Sequence, residues 1–212
     1  MLAWLNLLLD DAPRAESRML AALLRESPEY LDWSCAVQPV LNCLLERNRI
    51  KPLIICKVVD LPAINAFALP HKTIVLSQLL VEFCRNQRDQ MAFVLGHELA
   101  HIHLGHARER NLANGIMTVA PLANPLLGVG LGMLFNRAHS REQEFEADRW
   151  AVGFSARAGY APSASIALME RLGRGEAPSN LVSQLLGTHP PLTERLHHLH
   201  EAIRRCNDRA LR

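Results

Sequence analysis

The sequence has almost no charge imbalance: 23 lysines and arginines face 21 aspartates and glutamates, for a net charge of +2. No basic stripe stands out, which excludes the electrostatic footprint of a nucleic-acid-binding protein. A paired-cysteine framework is missing too. Cys35, Cys43, Cys56, Cys84 and Cys206 are odd in number, scattered and free of any C-x-x-C, which suits a reducing compartment better than disulfide stapling. The apolar stretch from Met1 to Leu9 lacks a basic segment before it and breaks at Asp10-Asp11-Ala12-Pro13, so it does not read as a secretory signal, and a cytoplasmic chain is the expectation. Charge is absent between Arg110 and Arg137, but Asn114, Pro121, Asn124, Pro125, Gly128, Gly130 and Gly132 interrupt that run. Such breaks form helix poorly, so residues 111–136 are expected beside an active site or against a membrane surface rather than across a bilayer.

What is present fits a well-cored protein of 212 residues, 49% apolar and 21% charged, with room for one compact unit. Two helical pieces, about Ala15–Arg25 and Ser34–Arg47, form an N-terminal segment over residues 1–50 that packs on a domain of residues 51–212. Leu53 to Val59 is short and β-branched between Pro52 and Pro62, and reads as a strand. Ala66–Leu69 and Thr73–Leu76 flank Pro70-His71-Lys72 as a hairpin, after which Ser77 caps a helix to about Cys84. More helices follow over residues 140–158, 163–172 and, briefly, 181–186. A last amphipathic helix carries Leu192, Leu196, Leu199 and Ile203 on one stripe. The fold class is α+β, mostly helical with a small sheet.

Residues 96–106, Gly-His-Glu-Leu-Ala-His-Ile-His-Leu-Gly-His, carry the densest chemistry. They sit in a helix starting near Asp89 that is apolar almost all round and therefore belongs inside the domain. His97 and His101 lie one turn apart on one face, and two imidazoles so placed can grip a divalent ion. Glu98, between them, can act on a water at that ion. On the same helical wheel His106 falls about 180° from His97, so His103 and His106 are expected at the surface or in ordinary hydrogen bonds. A third ligand must come from elsewhere. Ser140 and Gln143 spell a capping box, and along the helix they open, Glu144 with Asp148 and Glu142 with Glu146 form rival i, i+4 pairs on nearly opposite faces. Helical spacing does not choose between them, and a solvated acidic helix is the plain alternative.

Three separated stretches, Gly96 to His101, Ser140 to Asp148, and Thr188-His189-Pro190-Pro191 with Arg195, together resemble the zinc metallopeptidases that include the CAAX prenyl-protein endopeptidase and the heat-shock protease HtpX. Asn65 to Pro70 and Ala158-Gly159-Tyr160 are similar as well, and the likeness runs in order over roughly residues 50 to 205. The resemblance implies a gluzincin fold whose edge strand borders the active-site cleft. It implies one zinc per chain held by His97, His101 and Glu144, with Asp148 orienting a ligand histidine. It makes Glu98 the proton carrier, His189 and Arg195 the groups that offset negative charge on the reacting carbonyl, and Asn65, Ala66 and Phe67 the strand that holds substrate. A metalloendopeptidase acting on unfolded or damaged polypeptides follows. The family's best-known members carry transmembrane helices and this chain has no clean one, which favours a soluble or peripheral peptidase. A latent or chaperone-like member, with His189 closing the zinc site, is the alternative. A di-iron bundle built on Glu98-x-x-His101 and Glu194-x-x-His197 is a third reading, which the strands at 53 to 76 oppose.

Overall fold

A computed structural model of the chain describes residues 30–51, 53–61, 63–69, 72–106, 139–177 and 189–210. Helix α1, Tyr30–Arg47, carries Pro39 in its interior and leads into strands β1, Ile55–Val59, β2, Ala66–Leu69, and β3, Thr73–Ser77. Helices α2, Gln78–Phe83, and α3, Arg88–Leu104, follow. The rest is helical: α4, Arg141–Arg157, α5, Ala164–Gly173, and α6, Leu192–Ala210. The α+β class expected from the sequence is observed. The segments around Ala15–Arg25, 111–136 and 181–186 lie outside the described residues.

The sheet has the order β1-β3-β2. Central β3 is parallel to β1, with Ile55 opposite Thr73, and antiparallel to β2, with Ala66 opposite Leu76 and Leu69 opposite Thr73. All five β3 residues are buried, as a β-branched strand covered on both faces requires. The hairpin is thus present without a glycine, and Lys72 takes a positive φ of 63° at its end. The first strand starts two residues later than expected. Leu53 is 81% exposed and precedes the first β1–β3 pair at Ile55. Ser77 closes β3 and caps α2, its hydroxyl accepting from the Leu80 N–H at 3.2 Å.

Helix α3 runs through the middle. Every residue from Gln90 to His101 is buried, and α1, β2, β3, α4 and α5 all pack against it. Val37, Val40, Leu41 and Leu44 of α1 join Ile74, Leu76, Leu95 and Leu99 in one apolar core. Gly96 sets how closely α4 approaches. A Cβ there would lie 3.3 Å from the Ala151 Cα and 3.4 Å from its carbonyl oxygen. Small residues, Ala147 and Ala151, fill the α4 side of this contact with no exposed surface. Among the described residues no helix is long and apolar enough to cross a membrane.

Candidate metal centre

The close α3–α4 contact brings polar groups of both helices to one buried point. Their ends are firmly built. The Ser140 hydroxyl accepts from the Gln143 N–H, and the Gln143 side chain accepts from the Ser140 N–H, both at 3.2 Å, so the expected capping box starts α4. At the far end of α3, Gly105 takes a left-handed φ of 75° and its N–H turns back on the His101 and Ile102 carbonyls, a glycine stop.

Within this frame His97 Nε2 and His101 Nε2 lie 3.1 Å apart, and Glu144 places Oε2 3.4 Å from the first and Oε1 3.4 Å from the second. A tetrahedron with metal–ligand bonds of about 2.1 Å has edges of about 3.4 Å, and the two nitrogens and the carboxylate, which turns one oxygen to each, are spaced on that scale. Glu144 is fully buried, and its Oε1 has no hydrogen-bond partner among the described residues. A buried carboxylate oxygen left in that state is costly unless a cation meets it. Burial lowers the His101 pKa to about 3, which keeps its imidazole neutral, the form that ligates metal. These residues fit a divalent ion. Glu144, not Glu142, meets the histidines, for Glu142 is exposed.

Support for the cluster is layered. Asp148, fully buried, accepts from His97 Nδ1 through Oδ1 at 2.9 Å. Arg195 then donates to Asp148 twice, from Nε to Oδ2 at 2.9 Å and from Nη2 to Oδ1 at 2.7 Å. Burial works to raise the Asp148 pKa, and the Arg195 charge with the bonds from His97 and Arg195 outweighs it, holding the carboxyl well below its usual range. Burial would lower the pKa of His97, but the bonds and charges of Asp148 and Glu144 prevail and raise it. Glu144 is driven low, against its own burial, by the His189 charge and by its close contacts with His101, His189 and His97. Glu98, next to His97 and 3% exposed, goes the other way: burial raises its pKa, with His97, His189 and Arg195 opposing.

Two further residues meet the cluster. Arg195, expected to offset charge on the reacting carbonyl, is 3% exposed and forked onto Asp148, which in turn meets His97. His106, expected at the surface or in an ordinary hydrogen bond, is buried and takes the latter place, its Nδ1 3.0 Å from His101 Nδ1, though not on the side of the helix expected from its offset of about 180° from His97. The wheel fails there because α3 ends at Leu104 and Gly105 turns the chain. His139, which carried no expectation, stacks on His101 with ring centroids 3.8 Å apart. A glycine directly after a helical run was the one available signal for His106.

The remaining expected residues are nearby in differing degrees. His189 Nδ1 bonds Glu144 Oε2, and its ring centroid is 5.5 Å from that of His97. Ala66 and Phe67 lie on β2, which packs against α3. Asn65, just before them, is buried: its carbonyl accepts from the Ser77 N–H and its own N–H donates to the Ser77 hydroxyl, while its Oδ1 has no partner among the described residues. His103 is at the surface against Trp150 and Phe154. Glu194 of the di-iron reading sits at the surface with Arg141, 3.1 Å away, so its E-x-x-H pair does not reach the cluster.

The sequence of residues 51–203 matches the family described as Peptidase family M48. The chain belongs to this family. M48 similarity extends to individual curated proteins. The chain is 31% identical over 193 residues to "Metalloendopeptidase OMA1, mitochondrial" of Bos taurus, covering 79% of this chain and 37% of that protein. It is 27% identical over 155 residues to "Mitochondrial metalloendopeptidase OMA1" of Saccharomyces cerevisiae, covering 68% and 45%. With "Metalloprotease YcaL" of Escherichia coli it shares 25% over 152 residues, covering 66% and 58%. The chain thus spans less than half the length of these two OMA1 relatives. M48 membership agrees with the resemblance drawn from the three motifs and makes this a metallopeptidase fold.

Proposed function

We propose that the chain is a zinc-dependent endopeptidase with His97, His101 and Glu144 as the metal ligands, one zinc per chain. The observation that carries this reading is the buried cluster shared by two helices, in which His97 Nε2 and His101 Nε2 lie 3.1 Å apart and Glu144 turns one oxygen to each at 3.4 Å. Two nitrogens and one carboxylate suit zinc, and three protein ligands are the mark of a catalytic rather than a closed structural site. When bound, zinc supplies Lewis acidity that brings deprotonation of a water near neutral pH and polarises a peptide carbonyl.

The chain's own residues do the rest. Glu98 takes the proton from the attacking water and passes it to the leaving amine, a task helped by the burial that raises its pKa. Asp148, fixed by Arg195, holds His97 in the tautomer that presents Nε2. Asn65, Ala66 and Phe67, on and before the outer strand β2, line an extended substrate beside α3. Unfolded or damaged polypeptide is the substrate class, because only an extended chain can lie along a strand edge. Glu98→Gln tests the reading: zinc stays bound and cleavage of an unfolded test protein falls by about 10²–10⁴-fold. Undiminished cleavage would sink it.

The contact between His189 and Glu144 favours a second reading, in which the site is latent or the protein chaperone-like. A histidine in that place either meets substrate or closes the metal's last position. His189→Ala separates the two, since lower turnover means the former and higher turnover the latter.

A further inference from the structure

The second ligand, His101, has a support that the assignments above leave without a role. Its Nε2 faces His97 and Glu144, so on the metal reading Nε2 offers its lone pair and the proton of the neutral ring sits on Nδ1. His101 is 1% exposed, and that buried N–H needs an acceptor. The group in place is His106 Nδ1, at 3.0 Å. To accept, His106 must keep Nδ1 bare and carry its own proton on Nε2, which points toward Glu146 Oε2, 3.6 Å away on α4.

We infer that His106 is a positioning residue for the metal centre: it fixes the tautomer and ring orientation of His101 as Asp148 fixes those of His97. The two arms differ in build. The His97 arm is a direct carboxylate contact locked by Arg195, whereas the His101 arm runs through a second imidazole to a carboxylate whose side chain is 40% exposed. Gly105 makes the second arm possible. Its left-handed φ of 75° ends α3 and brings the next residue back under His101, a conformation that side-chain-bearing residues adopt at a cost.

A second ion held by His101, His106 and His139 is the competing use of the same nitrogens, which lie within 4.8 Å of one another. Ring geometry opposes it. His139 stacks on His101 at 3.8 Å with planes 17° apart, so their in-plane lone pairs run side by side and do not converge on one ion.

The inference rests on the proposed zinc site, and the test separates the two. Zinc affinity is measured on the full chain by competition with a chromophoric chelator. His106→Phe keeps the ring but removes the acceptor, and should weaken zinc binding by about 10–100-fold. His106→Asn puts an oxygen where Nδ1 was and should restore affinity to within about threefold of wild type. On the zinc-loaded wild type, long-range ¹H–¹⁵N spectra of labelled histidines should show His106 protonated at Nε2, a readout that holds even if His106→Phe fails to fold. Wild-type affinity in His106→Phe, or a His106 proton on Nδ1, overturns the role given to His106. Full affinity in Glu144→Ala instead overturns the zinc site itself.

Discussion

At the scale of single residues, the buried charges make the sharpest predictions. Arg195 is the partner of a fully buried carboxylate, so Arg195→Met leaves Asp148 unpaired and should cost about 3–5 kcal/mol of stability, read from urea unfolding of the metal-free chain. Arg195→Lys should recover little, because an ammonium cannot reproduce the two-bond fork. An arginine serving only the reacting carbonyl would leave stability unchanged in both. The thiols test the opposite kind of burial. Cys56 and Cys84 are pushed by desolvation from 9.0 up to about 12, while Cys35 is exposed. Their folded pKa values exceed the unfolded ones, so the folded state keeps protons that the unfolded chain releases above about pH 8.5. Stability is therefore fully present below that pH and falls as pH rises toward 12. At pH 8 an alkylating reagent should label Cys35 promptly and reach Cys56 and Cys84 only on unfolding; equal labelling of all three in the native state refutes the burial argument. That His97 and His101 share a helix face was legible from their spacing alone, because a four-residue step is one helical turn. Glu144 was not, since Glu142 has equally good helical spacing and only the family likeness chose between them.

At the scale of elements, the contact between α3 and α4 decides whether ligands from two helices can share an ion. Gly96 controls it, with only 3.3 Å between a notional Cβ and the Ala151 Cα. Gly96→Val forces the helices apart and should cost about 1–3 kcal/mol through overpacking, together with a loss of zinc affinity measured by the same chelator competition. A variant that loses stability but binds zinc as before would show that the gap between the helices does not set the site. The elements themselves were largely readable. The β-branched run, the Ser77 cap and the Ser140 capping box each have a local cause, and each was found in place. What escaped was tertiary. A helical wheel assumes that the helix continues, so it put His106 on the wrong side, past a glycine that ends α3. Nothing in the periodicity placed β3 between β1 and β2, because sheet order depends on partners far apart in sequence.

At the scale of the whole molecule, the ion would tie the centre of the fold together. Helix α3 carries two of the proposed ligands and is packed against α1, the sheet, α4 and α5, while α4 carries the proposed third and is packed against α6. Removing the ion leaves Glu98 and Glu144 together in a buried site, where burial and the Glu144 charge both raise the Glu98 pKa, so an ionised Glu98 there costs the metal-free fold stability. A ligand that binds only the folded state adds about 4 kcal/mol at a free concentration a thousandfold above its Kd. For a chain of this size each kcal/mol moves the thermal midpoint by about 2–4 °C, so chelation should lower it by roughly 8–16 °C. Two variants give this a sign that general destabilisation lacks. Glu144→Ala removes a ligand, and its midpoint should no longer respond to chelator or to added zinc. Glu98→Gln removes a buried charge but no ligand, so its metal-free form should melt above the metal-free wild type while its response to zinc persists. If chelator leaves the wild-type midpoint unchanged, or if Glu144→Ala responds to zinc as fully as wild type, then the α3–α4 cluster is not what binds the ion.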